Sequence, residues 1–161
     1  MKEYTLSERG KFKQIITSAL YKNPAIREML IGDTTGMSNA DMRIQFKNYC
    51  KSHLFIDDTI TEAKTFIFYD VKISQASRTT KNCRVLMYLI CNRDILEDFA
   101  LDGYIGDRID ILAELVEETL INDDDIVKSF GIGNLCLSNV DIYNSTRMYG
   151  CILNFDVPDF R

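Results

Sequence analysis

The sequence predicts a single α+β domain: a central, mostly antiparallel sheet of about four strands, in the order α-β-β-α-β-β, with helices packed on it. Three observations predict it. The chain has 161 residues, the length of one ordinary domain. Four segments carry apolar residues at strand period and fall into two pairs. Between the pairs lies one long segment whose apolar residues recur at helical spacing.

Residues 1–161 therefore read as one domain, with a helical region over 1–43 and an α+β core over 44–161. Thr5 or Ser7 can cap the first helix, and Glu8 adds charge near its positive end. Phe12, Ile15, Ile16, Ala19 and Leu20 give that helix its apolar stripe, and Asn23-Pro24 stops or kinks it. Ile26, Met29 and Leu30 predict one or two further turns. Residues 32–41 read as a loop by composition. Residues 42–50 are ambiguous, with Phe46 and Tyr49 as anchors to the core.

Lys64 to Ile73 reads as the first strand, with Phe66 and Phe68 on one face and Ile67, Tyr69, Val71 and Ile73 on the other. Cys83 to Cys91 is the second, with Val85, Met87 and Leu89 alternating with Leu86, Tyr88 and Ile90. A strand apolar on both faces is central. Tyr104 to Ile121 is the clearest helix: Ile105, Ile109, Leu112, Val116 and Leu120 form one stripe, and Asp102 or Gly103 marks its start. Asn122 to Asp125 reads as an exposed acidic turn at the helix's negative end, unfavourable by about half a kcal/mol. Gly131-Ile-Gly133 opens a third strand near 134–142. Arg147 to Val157 is the fourth, with Cys151, Leu153, Phe155 and Val157 on one face.

Composition excludes several classes. Apolar residues make up 46% and charged residues 27%, which sets the chain apart from disordered sequences. The formal net charge is -5, so a tight electrostatic grip on duplex DNA is not the expectation. The longest apolar run, Val85 to Cys91, is far short of the about 20 residues a membrane helix needs. The N-terminus carries mixed charges and no secretory pattern. Five cysteines without a CxxC pair read as small buried hydrophobes in a reducing compartment.

No catalytic or metal constellation forms. His53 is the only histidine, and no nucleophile elbow is present. Gly131-Ile-Gly133 enters a strand, where a phosphate loop would lead into a helix. Residues 122–125 lack the ligand spacing of a calcium loop. Glu62-Ala-Lys64 matches half of a metal-dependent nuclease site, but Asp57 and Asp58 precede it too closely to supply the opposing carboxylate. The expectation is a protein without enzymatic activity, metal or cofactor. Seventeen Phe and Tyr leave Phe66, Phe68, Leu86, Tyr88 and Ile90 on a second sheet face. Either a partner covers that face or residues 42–60 fold back over it.

Across 44–160 the sequence resembles small structural proteins of tailed bacteriophages, the tail-terminator and tail-completion type. The stretches that carry the resemblance are Ser52-His-Leu-Phe-Ile-Asp57, Thr61-Glu-Ala-Lys-Thr-Phe-Ile-Phe-Tyr-Asp70, Gly106-Asp-Arg-Ile-Asp-Ile-Leu-Ala113, Phe130-Gly-Ile-Gly-Asn-Leu135 and Tyr149-Gly-Cys-Ile-Leu-Asn-Phe-Asp-Val-Pro-Asp-Phe160. The resemblance implies a non-enzymatic virion protein, made in the host cytoplasm. It would form a homo-oligomeric ring at the neck between head connector and tail, beside other neck and tail proteins. DNA would be met only by passage through the channel, and no membrane is involved. A small regulatory or adaptor domain is the alternative, and a metal-dependent nuclease the more distant one. The candidate interface residues are Arg108, Phe66, Phe68, Tyr88, Arg147 and Tyr149. Arg108 is expected to pair with a carboxylate of a neighbouring subunit or of its own chain, such as Asp156 or Asp159. Pairing within its own helix to Asp107 or Asp110 is the other reading.

Overall fold

The computed structural model describes residues 5–54, 62–75, 81–129 and 135–160. Helix α1 (Thr5–Lys22) and helix α2 (Pro24–Ile31) meet at Asn23. Pro24 has no N–H to continue α1, and its ring suits the first position of a helix. Asn23 Oδ1 accepts the N–H groups of Ala25 (3.0 Å) and Ile26 (3.3 Å), and its Nδ2 donates to Thr119 Oγ1 (3.0 Å). One residue thus ends α1, caps α2 and ties both to a later helix. The caps expected at Thr5 and Ser7 fall where side chains lie outside the described residues.

Helix α3 (Asn39–Tyr49) starts at its cap Ser38, whose Oγ accepts the Asp41 N–H at 3.2 Å. The ambiguous stretch is therefore helix, and the loop before it ends three residues earlier than composition suggests. Strand β1 (Cys50–Lys51) follows directly and pairs in parallel with β2 (Thr65–Gln75). Strands β3 (Lys81–Asn92), β4 (Cys136–Asn144) and β5 (Met148–Phe160) complete a five-stranded sheet in the order β1-β2-β3-β5-β4. Every pairing except β1 with β2 is antiparallel. The domain is α+β as expected, with five strands instead of four, because two residues cannot display an alternation.

Helix α4 (Arg108–Asn122) begins four residues later than the stripe suggests. Gly103 (φ +89°) and Gly106 (φ +118°) hold the preceding turn out of helical geometry. Asp107 caps instead: its Oδ1 accepts the Ile109 and Asp110 N–H groups, each at 2.9 Å, and Asp110 Oδ2 returns a bond to the Asp107 N–H at 3.0 Å. Ile105 lies outside the helix and is 91% exposed. The acidic run after α4 is also not a simple turn. Asp123 Oδ1 accepts the N–H groups of Asp125 (3.0 Å) and Ile126 (3.1 Å), which starts helix α5 (Asp124–Ser129). Charges that are unfavourable behind α4 are favourable at the front of α5. Residues 131–133 lie outside the described residues.

The helices cover one face of the sheet. Ile67, Tyr69, Val71, Val85, Met87, Leu89, Leu153 and Phe155 point into this layer, against Ile16, Leu20, Ile26, Leu30, Leu112, Val116 and Leu120. The fully buried Tyr69 directs its hydroxyl to the Lys13 carbonyl (2.6 Å) and to Thr17 Oγ1. Burial pushes the Tyr69 phenol pKa upward, so it stays neutral. Cys50, Cys83, Cys91 and Cys151 are buried, whereas Cys136 is exposed on β4.

The two long edges of the sheet differ. At the β2 edge, Arg9 Nε donates to the Val71 carbonyl (2.8 Å) and Asp70 Oδ1 accepts the Val71 N–H (2.8 Å). Side chains there occupy the positions a further strand would use. At the β4 edge, every side chain is exposed or half-buried, and a register shift falls between Leu137 and Asn139. Val140 is 53% and Ile142 73% exposed.

Candidate functional site

The second sheet face is not free. Phe66, Phe68, Ile90 and Met148 are buried there, with Tyr49, Tyr88 and Tyr143 packed around them. Tyr49, at the end of α3, lies 5.6 Å from the Phe66 ring, and Lys64 Nζ sits over Tyr49 at 5.5 Å. Phe66 and Phe68 stack at 5.5 Å, and Tyr88 meets Tyr143 edge-on at 6.0 Å. Of residues 42–60, expected to fold back over this face if no partner does, Tyr49 is seen packed there, and residues 55–60 lie outside the described residues. Phe66 and Phe68 are thus core residues with no surface to offer, and Tyr88 and Tyr149 are half-buried. Arg147 is exposed, and its carbonyl accepts the Arg93 N–H at 2.9 Å.

Arg108 stands at the first turn of α4 but reaches no carboxylate among the described residues. Its Nε donates to the Ile95 carbonyl (3.0 Å), and its Nη1 to Thr65 Oγ1 (3.3 Å) and, at the limit, the Met29 carbonyl (3.5 Å). The guanidinium also lies 5.1 Å from the Phe99 ring. The expected partner Asp156 pairs with Arg84 at 2.9 Å, and the Asp159 side chain lies outside the described residues. A first-turn side chain points back over the preceding loop, so Arg108 falls between α2, β2 and residues 95–99 and ties them together. Burial lowers its pKa, with Cys91 and Asp98 acting the other way. It lines a cleft of about 550 Å³ together with Arg27, Glu28, Thr65 and Phe99.

The nuclease reading gains no geometry. The Asp70 carboxylate is held by Arg9 and by Lys13 Nζ (3.0 Å). Burial acts to raise the Asp70 pKa, but the Lys13 ammonium, the Val71 N–H and Arg9 together hold it below its ordinary value. Asp57 and Asp58 lie outside the described residues. Among the described residues, no group of three or more His, Cys, Asp or Glu is placed to hold a metal ion. No helix among them is long and apolar enough to cross a membrane.

Two surfaces escaped the sequence reading. The first is a cleft of about 1010 Å³ between α1 and α3, lined by Lys13, Lys22, Arg27, Arg43 and Lys47, with Asp125 as its carboxylate. Tyr21 sits inside it, with the Arg27 guanidinium 5.0 Å and the Arg43 guanidinium 5.3 Å from its ring. Lys22 Nζ bonds Asp125 at 3.1 Å, which raises the Lys22 pKa. The sequence did hold a signal for this cleft. Residues 1–51 contain nine Lys and Arg against five Asp and Glu, and residues 52–161 contain ten against nineteen. The overall charge of -5 hides that split.

The second surface is a bare apolar shelf. Val140 and Ile142 point to the same side of the sheet as the helices, but α4 lies over β3 and β5 and leaves β4 uncovered. The first turn of α4 is close by. Burial raises the Cys151 thiol pKa to about 12, helped by Asp110 and Asp107, and Ile142 is the β4 partner of Cys151. Asp110, at the first turn, is therefore the α4 carboxylate nearest the shelf, and the exposed Glu114 and Glu118 follow it at successive helical turns.

Comparison with the curated proteins and with the solved structures gives no significant match. The family model YomW matches residues 14–157, from within α1 to within β5, and so contains part or all of every helix and strand. The chain belongs to the YomW family, a phage-derived family of the SPBc2-like prophage type.

Proposed function

We propose that the chain is a non-enzymatic structural subunit of a phage virion, a homo-oligomeric ring of the neck or tail that joins the head connector to the tail. The observation that carries this reading is the uncovered shelf at the β4 edge, where Ile142 is 73% and Val140 53% exposed. Apolar side chains left in water forgo about 25 cal/mol for each Å² a partner would cover. An edge strand without Lys or Pro is open to such a partner, and β4 contains neither. The phage-derived family supports a virion location after synthesis in the host cytoplasm. The acidic balance supports a channel through which DNA passes without being gripped. Other neck and tail proteins would be its neighbours, and no cofactor or membrane is needed. A regulatory or adaptor domain would present the same shelf to a different partner.

Two measurements test the reading together: the native mass of the purified chain, and a reconstruction of particles in which the chain is identified. The expected result is a multi-subunit ring, free or seated at the neck. A monomeric mass at high concentration, combined with absence of the chain from the particle, would refute it.

A further inference from the structure

The cationic cleft and the acidic side of α4 have opposite charge and similar make-up. In the cleft, Arg27 and Arg43 are stacked on Tyr21 and have no carboxylate partner among the described residues, and Lys47 is exposed beside them. On the same helix as Arg43 and Lys47, Ile44 is 61% exposed. On α4, the carboxylates Asp110, Glu114, Glu117 and Glu118 run along one side; Ile105, just ahead of the helix, is 91% exposed, and Ile142, the β4 partner of Cys151, is 73% exposed. Among the described residues, none of the four carboxylates forms a salt bridge. The cations of the cleft thus match the carboxylates of α4 in charge, and an exposed isoleucine lies on or next to each helix, Ile44 on α3 and Ile105 ahead of α4.

We infer that the cleft between α1 and α3 receives the acidic α4 face of a second copy of this chain. This inference rests on the ring reading and supplies its repeating contact. The two surfaces lie on different parts of one subunit, so each copy gives its α4 face to one neighbour and takes that of another. Such a head-to-tail contact generates a ring when its rotation closes. The stacked guanidinium groups are already ordered on Tyr21, so little side-chain freedom is lost on docking. Opposite charge around an apolar centre sets the register and disfavours like-to-like pairing. Within one chain, Asp125 already engages Lys22 at one end of the cleft, leaving Arg27, Arg43 and Lys47 for the incoming helix. A duplex DNA backbone is the competing anion, and the net charge of -5 weighs against it.

Charge reversal on the full chain tests the contact. Arg43→Glu with Lys47→Glu should weaken self-association by about 10-fold or more, and so should Glu114→Lys with Glu117→Lys. The chain carrying all four changes should recover association to within about threefold, because opposite charges again face each other. Wild-type assembly should also weaken steadily between about 0.05 and about 0.5 M NaCl. Thermal melts of the dissociated variants check folding, and Arg43→Gln with Lys47→Gln serves as a milder pair. Assembly indifferent to salt and to both reversals overturns the inference while leaving the ring intact. A fourfold variant no better than the twofold ones also overturns it. Binding of a labelled DNA duplex that the cleft reversal abolishes, with assembly unchanged, assigns the cleft to nucleic acid instead. A wild type that is monomeric under all these conditions overturns the inference, and the particle reconstruction then decides the neck reading separately.

Discussion

Arg108→Ala should destabilise the folded subunit, not its assembly. The bond from Nε to the Ile95 carbonyl, at 3.0 Å, is charge-assisted and worth about 1.5–3 kcal/mol. The bond to Thr65 Oγ1 at 3.3 Å adds about 1 kcal/mol, since Thr65 is fully buried and no water replaces the donor. The 3.5 Å contact to the Met29 carbonyl adds little. Stacking at 5.1 Å on Phe99 adds about 0.5–1 kcal/mol. These contacts share one guanidinium and do not sum fully, so the expected loss is about 3 kcal/mol. For a domain of 161 residues that corresponds to a melting temperature lower by about 6–12 °C. The assay is thermal and urea unfolding followed by circular dichroism, with the exposed Arg147→Ala as control. Arg108→Lys should fall between the two, because an ammonium keeps the charge but not the fork. Equal stability of Arg108→Ala and Arg147→Ala would refute the assignment. A loss that depends on protein concentration would move Arg108 to an interface.

Two further perturbations follow from particular contacts. Gly150→Ala places a Cβ 1.8 Å from the Leu89 carbonyl oxygen and 2.8 Å from Ile90 Cα, both backbone atoms of a paired strand, so β5 must separate from β3. A loss of about 3 kcal/mol or more, or insoluble expression, is expected, and a melting temperature within about 1 °C of wild type would refute the register. Asp70 contributes to acid stability: its folded pKa lies below the ordinary 3.8, so the contribution is present above that value and is lost as pH falls through the folded pKa. Asp70→Asn should therefore flatten the stability-against-pH curve below about pH 4, and an unaltered acid limb would refute it.

The sheet was legible because its strands are long and two-sided. Phe66 and Phe68 against Ile67 and Tyr69, and Val85 and Met87 against Leu86 and Tyr88, alternate cleanly, and the observed faces follow that alternation. Helix α4 was legible in its interior and not at its start, because Ile105 continues the apolar stripe although Gly106 and the Asp107 cap exclude it from the helix. β1 escaped because two residues have no period. The covering of the second face could not be read, since it depends on Tyr49 arriving from another element. The charged cleft escaped for a related reason. Tyr21, Arg27 and Arg43 sit on three different helices, and tertiary packing alone makes them one site. Arg108 stands out in the sequence at the edge of the apolar stripe, but its rotamer aims it inward at carbonyls instead of outward at a carboxylate.

The unlike edges of the sheet limit how copies can join. β2 is engaged by β1 at Ile67 and Phe68 and by Arg9 and Asp70 at Val71, whereas β4 leaves a row of peptide groups free to bond. For main-chain pairing β4 is therefore the more open edge among the described residues. Two copies could join their β4 strands about a two-fold axis, and further growth would have to use a β2 edge partly occupied by β1, Arg9 and Asp70. A sheet running continuously around a ring, or along a fibre, would have to displace those contacts. A repeating assembly that leaves them in place is held by side chains, whose bonds respond to salt and to single substitutions in a way a backbone ladder does not. The few residues at the β2 edge thus act against polymerisation of the protein through its own sheet.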